Sequence, residues 1–396
     1  MKHFCLFDDS FRDHLLPFTY TKPVSELRIG IYTIREKWEK RMKTSISSWK
    51  TQEYLSIKYP FSQIDQQVFL NGHVCPNQKL IELVLNLKQE QGIHIGNRII
   101  ALRTDSSGFE PEISNLPNIE WIHCDEKLTI LTNSWDLYTL NRDEIQSDFE
   151  LITRGRDSES IPASCFVRGI ENIFIEKGAK ISFASLNASN GPIYIGADTE
   201  IMEGSLIRGP FVLGEHSVVN MGAKIYGPVS VGPFSKVGGE LNTVNIQAYS
   251  NKGHDGFLGN SVIGEWCNLG ADTNTSNLKN SYVEIKLWNY PTNRFINTGL
   301  QFCGLMMGDH SKCGINTMFN AGTVVGVCCN IYGTGYPRNF VPSFSVGGSQ
   351  GYQVNRMQEV FKTAAKVMER RNHIFTPEDQ NILAEIFEQT KRYRKY

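Results

Sequence analysis

The sequence predicts an α/β domain at residues 1–160, an all-β domain at 161–350 and a C-terminal helical tail at 351–396. Short β-like runs alternate with helical stretches up to about residue 160, which is typical of an α/β layer with a parallel sheet. Through the middle of the chain, aliphatic residues recur every six positions. After Gly351 the repeat stops and helical stripes take over.

The six-residue repeat predicts a three-sided parallel β-helix, because this period fits neither a helix nor a long alternating strand. The repeat covers eight aliphatic positions: Ile195, Ile201, Ile207, Leu213, Val219, Ile225, Val231 and Val237. Small residues follow four places after most of them: Thr199, Ser205, Ser217, Ala223 and Ser235. The register resumes at Phe257, Ile263 and Leu269, and again from Met307 to Ile331. We expect the aliphatic side chains to point into the coil.

Composition and charge exclude several classes of function. Forty basic and 41 acidic residues give a net charge of −1, which offers no electrostatic footprint for nucleic acid or anionic membranes. No stretch of about 18 apolar residues is present to span a membrane. The N-terminus turns acidic at Asp8, before a signal-peptide core could form. We therefore expect a cytoplasmic protein with nine reduced cysteines.

Local patterns predict the elements that flank the repeat. Residues 69–72 and 98–102 have the composition of strands, and residues 77–91 have the apolar spacing of a helix. The polar segment 151–165, with its Gly and Pro, is the expected linker into the β-helix. In the tail, 353–372 carries one apolar helical stripe, and Thr376 followed by Pro377 is a typical start for a second helix.

The segment 251–277, NKGHDGFLGNSVIGEWCNLGADTNTSN, resembles the acetyltransferase signature of a bifunctional family. Its members join N-acetylglucosamine-1-phosphate uridyltransferase to glucosamine-1-phosphate N-acetyltransferase. The resemblance spans about residues 165–348 and implies a left-handed hexapeptide-repeat β-helix that works as a homotrimer. It also implies transfer of an acetyl group from acetyl-CoA to an amino-sugar 1-phosphate.

The same resemblance assigns residues to the acetyl-transfer site. His254 would be the general base, because an imidazole titrates near neutral pH; the alternative from position alone is an exposed loop histidine. Asn268 and Asn277 match substrate-binding asparagines of the family. The sugar phosphate would be bound by Lys252 and by Lys279 or Lys286, with Arg208 as a further candidate. Ala321, Gly322 and Thr323 resemble the coil that borders acetyl-CoA. One departure is Phe257, where the family usually has a tyrosine.

The N-terminal segment FDDSFRDHLLPFTYTKPVSELRIG resembles the start of sugar nucleotidyltransferases. This resemblance implies UTP as a substrate and assigns nucleotide binding to Arg12, Lys22 and His73, with Arg28 as a further candidate cation. In VFLNGHVCP, at 68–76, His73 stands where the family has a Mg²⁺-binding aspartate. Mg²⁺ prefers oxygen ligands, so a histidine is a poor replacement for that aspartate. Mg²⁺ is therefore a candidate cofactor whose ligands are unknown, and Asp8, Asp9 and Asp125 are candidates to supply the missing carboxylate.

Two alternatives to an acetyltransferase follow from these departures. One is a trimeric scaffold that binds a nucleotide sugar without chemistry, which His73 and Phe257 favour. The other is a transferase with a different acyl donor or amino sugar. All three hypotheses predict small-molecule partners and exclude nucleic acid.

Overall fold

The computed structural model describes residues 3–65, 67–105 and 111–396. The chain divides into two compact units. The first contains Met1–Leu15, Thr19–Leu27 and Tyr32–Asn133; the second contains Leu16–Phe18, Arg28–Ile31 and Ser134–Tyr396. Among the described helices, none combines the length and the apolar character that crossing a bilayer requires.

Residues 3–130 form short strands and two α-helices. The strands are β1 (His3–Phe7), β2 (Arg28–Ile29), β3 (Tyr32–Thr33), β4 (Trp49–Lys50), β5 (Gln67–Asn71), β6 (Val74–Cys75), β7 (Gln91–Ile95), β8 (Arg98–Thr104), β9 (Glu120–His123) and β10 (Thr129–Ile130). The helices are α1 (Ile34–Met42) and α2 (Gln78–Asn86). The predicted strands at 69–72 and 98–102 are therefore confirmed within β5 and β8.

The main sheet of the first unit is mixed, so the prediction of a parallel sheet was wrong. Its order is β4-β1-β5-β8-β7-β9. Strand β1 runs parallel to β4 and β5, whereas β8 runs antiparallel to β5 and β7. Only Gly96 and Asn97 separate β7 from β8, and a parallel pair would need a crossover of about a dozen residues. The Gly-Asn pair is a hairpin turn that the periodicity did not reveal.

Helix α2 is shorter than the predicted 77–91. Asn77 caps it by accepting a hydrogen bond from the backbone N–H of Leu80 at 2.8 Å. The helix ends at Asn86, and the backbone reaches a left-handed φ of 56° at Glu90 before β7 begins. The last five residues of the apolar pattern thus belong to the turn and to the strand that follows.

The second unit begins with α3 (Asp136–Thr139) and α4 (Asn141–Thr153), and most of its remaining length is a parallel β-solenoid of about ten turns. Its strands are β11 (Phe166–Arg168), β12 (Ile173–Ile175), β13 (Lys180–Ile181), β14 (Ser185–Asn187), β15 (Ile193–Ile195), β16 (Glu200–Ile201), β17 (Leu206–Arg208), β18 (Phe211–Leu213), β19 (Val218–Val219), β20 (Lys224–Tyr226), β21 (Val229–Val231), β22 (Lys236–Val237), β23 (Glu240–Ile246), β24 (Asn251–Lys252), β25 (Phe257–Ile263), β26 (Asn268–Leu269), β27 (Asn274–Thr275), β28 (Lys286–Asn289), β29 (Arg294–Asn297), β30 (Leu305–Met307), β31 (Lys312–Cys313), β32 (Met318–Phe319), β33 (Thr323–Val325), β34 (Asn330–Ile331), β35 (Phe340–Val341), β36 (Ser345–Gly348) and β37 (Gly351–Val354). This architecture confirms the predicted left-handed β-helix.

The solenoid has three faces. Face A consists of β11, β14, β17, β20, the first halves of β23 and β25, and then β27 and β32. Face B consists of β12, β15, β18, β21, the second halves of β23 and β25, and then β30, β33 and β35. Face C runs from β13 through β16, β19, β22, β24, β26, β31 and β34 to β36. Each strand pairs with the same face of the next coil.

The repeat places its side chains as predicted. All eight aliphatic residues from Ile195 to Val237 are at most 2% exposed, and the five small residues that follow them are at most 1% exposed. Where the repeat resumes, the predicted inward position at Phe257 is wrong by one residue. Leu258 points inward instead, and Phe257 is half-buried.

Helices α3 and α4 lie within the second unit and pack on face B. They span residues 136–153, which were predicted to belong to a domain ending at 160. Asn245 of face B donates hydrogen bonds to the carbonyls of Leu137, at 3.1 Å, and Arg28, at 3.0 Å. The predicted linker at 151–165 therefore begins inside α4, and the segment without helix or strand starts at residue 154.

The tail forms α5 (Met357–Glu369) and α6 (Pro377–Gln389), which confirms that two helices are present. The predicted start of the first helix at residue 353 is wrong, because residues 351–354 form β37, which pairs antiparallel with β36. Thr376 and Asp379 cap α6 reciprocally. Beyond α5, His373 packs edge-on against a stack of rings at one corner of the solenoid, where Tyr249 and Trp266 lie 4.1 Å apart. Phe387 of α6 packs edge-on against Phe344 near the last coil. The tail therefore covers a solenoid corner as well as its end.

Candidate functional site

His254 lies at the corner that leads from face C into face A. Its side chain is exposed, and its loop leaves the regular coil after β24. Two contacts hold that loop: Asn220 Nδ2 donates to the Gly253 carbonyl at 2.6 Å, and the Asp272 N–H donates to the Asp255 carbonyl at 3.1 Å. The imidazole is therefore accessible from solvent, and the backbone that carries it is held in place.

Lys252 occupies an inward position of the repeat. It stands six residues after Ile246 and six before Leu258, and it pairs in register with Val237. Its side chain is 1% exposed, and Nζ contacts the carbonyls of the corner loop, including that of His254. Burial lowers the pKa of Lys252 to about 8. The prediction that it binds the sugar phosphate finds no support here, because the ammonium group points into the protein and binds the backbone below His254.

A cavity of about 1080 Å³ opens at the edge of face A opposite to the corner of His254, where the insertion 278–300 leaves the coil. Its cationic lining residues are Lys279, Lys286 and Arg338, and none of its described lining residues is a carboxylate. Phe295, Tyr336 and Phe340 add aromatic surface. Such a lining suits an anionic ligand that also carries a planar or apolar group.

The insertion builds one wall of this cavity and folds back on its own chain. Strands β28 and β29 form an antiparallel hairpin, and Trp288 stacks on Phe340 with ring centroids 4.2 Å apart. Tyr393 of the tail packs edge-on against both rings. These contacts hold the insertion against the last coils of its own chain.

The residues predicted to border acetyl-CoA divide between cavity and core. Ala321 lines the cavity, whereas Thr323 is fully buried in β33. Gly322 has a φ of 73°, and a Cβ there would lie 2.6 Å from Ile285 Cγ2 and 2.7 Å from the Lys286 carbonyl oxygen. Gly322 therefore lets the insertion approach the coil closely, which places Lys286 beside the cavity.

The two predicted asparagines lie on different parts of the solenoid. Asn268 is exposed on face C, where its Oδ1 accepts from Asn251 Nδ2 at 3.3 Å. Asn277 lies at the cavity end of face A, where its Nδ2 donates to Asn260 Oδ1 at 2.8 Å. Within one chain, the structure brings Lys279, Lys286 and Ala321 together, but His254 and Asn268 do not line the same cavity.

The sequence analysis missed Arg338 and Tyr336. Both lie in the segment Tyr336-Pro337-Arg338-Asn339, which breaks the six-residue register after Ile331. The sequence signal for both residues was this break in the repeat, because it carries a cation and an aromatic residue.

In the first unit, the three residues predicted to bind nucleotide are buried. Arg12, Lys22 and His73 are at most 5% exposed. Arg12 donates to Asp13, to Tyr54 and to the Thr19 carbonyl. These side chains do not line the cavity of about 670 Å³ in this unit, so their placement does not support direct nucleotide contact.

That cavity is lined instead by Asp9, Ser10, Phe11, Asn97, Arg98 and residues 111–114. The guanidinium of Arg98 lies over the Phe11 ring, 4.6 Å from its centroid. Burial would raise the pKa of Asp9, but the Arg98 charge and the hydrogen bonds from Arg98 and Asn71 hold this pKa below its ordinary value. Asn97 and Arg98 follow the hairpin turn at Gly96, and that turn was the sequence signal for them.

Comparison with known proteins bears on the first unit most directly. Residues 4–157 match the family model of sugar nucleotidyl transferases. The match covers less than half of the chain. The chain is also 37% identical over 76 residues to the bifunctional protein GlmU of Methanocaldococcus jannaschii. That match covers 19% of this chain and 18% of GlmU, so the chain spans less than a fifth of the relative it matches.

Two solved structures are similar to about half or more of the chain. The UDP-N-acetylglucosamine acyltransferase of Arabidopsis covers 60% of this chain and 82% of its own, at 15% identity and a TM-score of 0.26. The polySia specific acetyltransferase NeuO covers 52% and 97%, at 12% identity and a TM-score of 0.28. The predicted resemblance to sugar nucleotidyltransferases and to the bifunctional GlmU family is confirmed by the matches to the family model and to GlmU.

Proposed function

We propose that the solenoid transfers an acetyl group from acetyl-CoA to the amine of an amino-sugar 1-phosphate. The observation that carries this proposal is the cavity at the end of face A. It combines Lys279, Lys286 and Arg338 with aromatic side chains and without a described carboxylate. A donor such as acetyl-CoA carries phosphates and a planar base, and the acceptor carries a phosphate. Either ligand would match this lining in charge.

In the proposed reaction, the amine nitrogen attacks the thioester carbonyl carbon, and the carbon–sulfur bond breaks to release the thiolate. His254 would take the proton that the nitrogen loses and pass it to the leaving sulfur. Lys252 would act as a positioning residue, since its ammonium contacts the His254 carbonyl from inside the coil. Small residues near Ala321 would leave room for the pantetheine arm.

His254 and the cavity lie at opposite edges of face A. We therefore propose that each site combines His254 of one chain with the cavity of a neighbouring chain in a homotrimer. Face A and the corner that holds His254 carry exposed apolar side chains: Phe166, Phe183, Leu206, Met221, Ile315 and Met318. Exposed apolar groups clustered on one face are typical of an association surface. A neighbouring chain that packs on face A would bring its cavity end towards His254.

The test follows thiol release from acetyl-CoA in the presence of glucosamine 1-phosphate. We expect release by the wild type and a loss of about 10²–10⁴-fold in His254→Ala. His216→Ala is the matched control, because His216 is also an exposed histidine at a solenoid corner. No release by the wild type, or equal rates in the two variants, would contradict the mechanism.

The same assay identifies the ligand of the cavity. If the cavity holds the CoA phosphates, Arg338→Gln raises KM for acetyl-CoA about tenfold and leaves KM for the sugar phosphate unchanged. If the cavity holds the sugar phosphate, Arg338→Gln raises KM for the sugar phosphate instead and leaves KM for acetyl-CoA unchanged. Binding of CoA without any transfer would favour the second candidate function, a trimeric scaffold that has lost the chemistry.

A further inference from the structure

The first unit resembles enzymes in which an aspartate after the Asn-Gly pair binds Mg²⁺, and the side chains around Asp9 show whether such an ion fits here. His73 replaces that aspartate and is fully buried. Its Nδ1 lies 2.8 Å from the Leu131 carbonyl oxygen, and its Nε2 lies 3.1 Å from Asp9 Oδ1. The imidazole thus fills the space beside the carboxylate and faces it with a nitrogen.

The two carboxylate oxygens of Asp9 are surrounded by three hydrogen-bond donors and by His73. Oδ1 accepts from the Phe11 N–H at 2.9 Å and faces His73 Nε2. Oδ2 accepts from Asn71 Nδ2 at 2.9 Å and from Arg98 Nε at 2.6 Å. A carboxylate offers about four acceptor sites, two on each oxygen. Three donors fill three of these sites, and the His73 imidazole occupies the space beside the fourth, so a metal ion could bind only by displacing one of these four neighbours.

Further contacts hold the guanidinium of Arg98 in place. Arg98 Nη1 donates to Thr132 Oγ1 at 3.2 Å, and Nη2 donates to the Leu131 carbonyl at 3.3 Å. One face of its guanidinium lies on Phe11. Arg98 is therefore held beside Asp9 by four separate interactions, and its positive charge opposes the approach of a divalent cation.

The remaining acidic residues do not assemble a substitute site. Asp8 accepts from the Val24 N–H at 2.9 Å and from Thr51 Oγ1 at 2.6 Å, and burial raises its pKa to about 6. Asp125 is exposed and lies 3.2 Å from His123. Within the described ranges, no three His, Cys, Asp or Glu side chains are grouped so as to hold a metal.

From this arrangement we infer that the first unit holds no divalent metal at Asp9, and that the Arg98 guanidinium and the His73 imidazole occupy that place permanently. Mg²⁺-dependent nucleotidyl transfer at this position is therefore absent from the protein. The inference is independent of the proposed acetyl transfer, which involves only the second unit.

The experiment uses Mn²⁺ as the probe, followed by its electron paramagnetic resonance signal, on the full chain. We expect the wild type to show no saturable Mn²⁺ site that depends on Asp9. Its unfolding temperature should be the same in EDTA and in Mg²⁺, since an ion that binds only the folded state would raise it. Asp125→Asn is the matched control for adventitious binding to exposed carboxylates.

A gain-of-site variant completes the test. His73→Asp combined with Arg98→Met removes the cation and puts a second carboxylate beside Asp9, so affinity for Mn²⁺ should rise about tenfold or more. Far-UV circular dichroism checks that the variant folds. A wild-type Mn²⁺ site that Asp9→Asn removes and Asp125→Asn leaves intact would overturn the inference, as would stabilisation of the wild type by Mg²⁺ that only Asp9→Asn abolishes.

Discussion

At the scale of single residues, Lys252 shows how a repeat can carry a functional group in its interior. Its neighbours in the six-residue register, Ile246 and Leu258, are buried aliphatic residues. The lysine replaces an apolar core contact with contacts to the carbonyls of Gly238, His254 and Asp255. A buried ammonium costs free energy unless it is hydrogen-bonded, and these carbonyls meet that need while fixing the corner that presents His254.

The lowered pKa of Lys252 predicts a pH dependence of stability. Its pKa is about 8 in the folded chain, against 10.5 for an ordinary solvated lysine, so between these values the unfolded chain binds more protons. The free energy of unfolding of the wild type should therefore rise from pH 8 to pH 10.5, relative to Lys252→Met, by up to about 3 kcal/mol.

Urea unfolding of both proteins at several pH values across this window measures the difference. The comparison cancels the titration of all other groups, since the two chains differ only at residue 252. A difference between the variants that stays constant across the window would show that Lys252 keeps an ordinary pKa in the folded chain.

At the scale of elements, the insertion 278–300 turns a plain coil into a cavity wall. Its hairpin is held by Trp288 on Phe340, and its entry is held by the close approach of Ile285 to Gly322. A glycine at this corner serves two purposes, since it adopts a left-handed φ and leaves space for the neighbouring segment. The six-residue period shows where the insertion interrupts the repeat, but not which surface it packs against.

Gly322→Ala tests this close approach, and Gly222→Ala is its matched control. Both glycines have a left-handed φ, of 73° and 67°, but a Cβ at Gly222 would meet nothing within 4 Å. Both variants should lose about 1 kcal/mol from backbone strain. Gly322→Ala should lose a further 1–3 kcal/mol, roughly, because Ile285 and Lys286 must move.

Chemical unfolding of the two variants measures these losses. Gly322→Ala should also weaken the binding of any ligand that Lys286 holds in the cavity, whereas Gly222→Ala should not. Equal stabilities would mean that the insertion shifts without cost and that the close approach has no energetic role.

At the scale of the whole molecule, the solenoid distributes its surfaces unequally. On face B, α3 and α4 pack against β21, β23 and β25, and the outward residues of face C are mainly Lys, Glu and Asn. Face A and its leading corner carry the exposed apolar side chains, including Leu206 and Met318. Of the three faces, face A is therefore the one suited to association with another copy.

We expect sedimentation near three times the chain mass of 44.8 kDa. Leu206→Glu combined with Met318→Glu should shift the protein towards the monomer, since both substitutions place charge on the apolar face. The control is Lys236→Glu on face C, which should leave the mass unchanged. A wild-type monomer, or dissociation by the control alone, would contradict association through face A.

The six-residue period was sufficient to predict the solenoid, because a three-sided coil buries every aliphatic residue of the repeat. Local patterns also predicted the α/β character of the first unit and the presence of two helices in the tail. The sequence likewise predicted the Thr376 cap of α6. It could not determine the mixed sheet, the covering of face B by residues 136–153, or the inward direction of Lys252. Three of the partners of Asp9, namely Asn71, His73 and Arg98, come from segments far from it in the chain. Such features depend on the folded chain, because hydrogen bonding and packing between distant segments leave no periodic trace in the sequence.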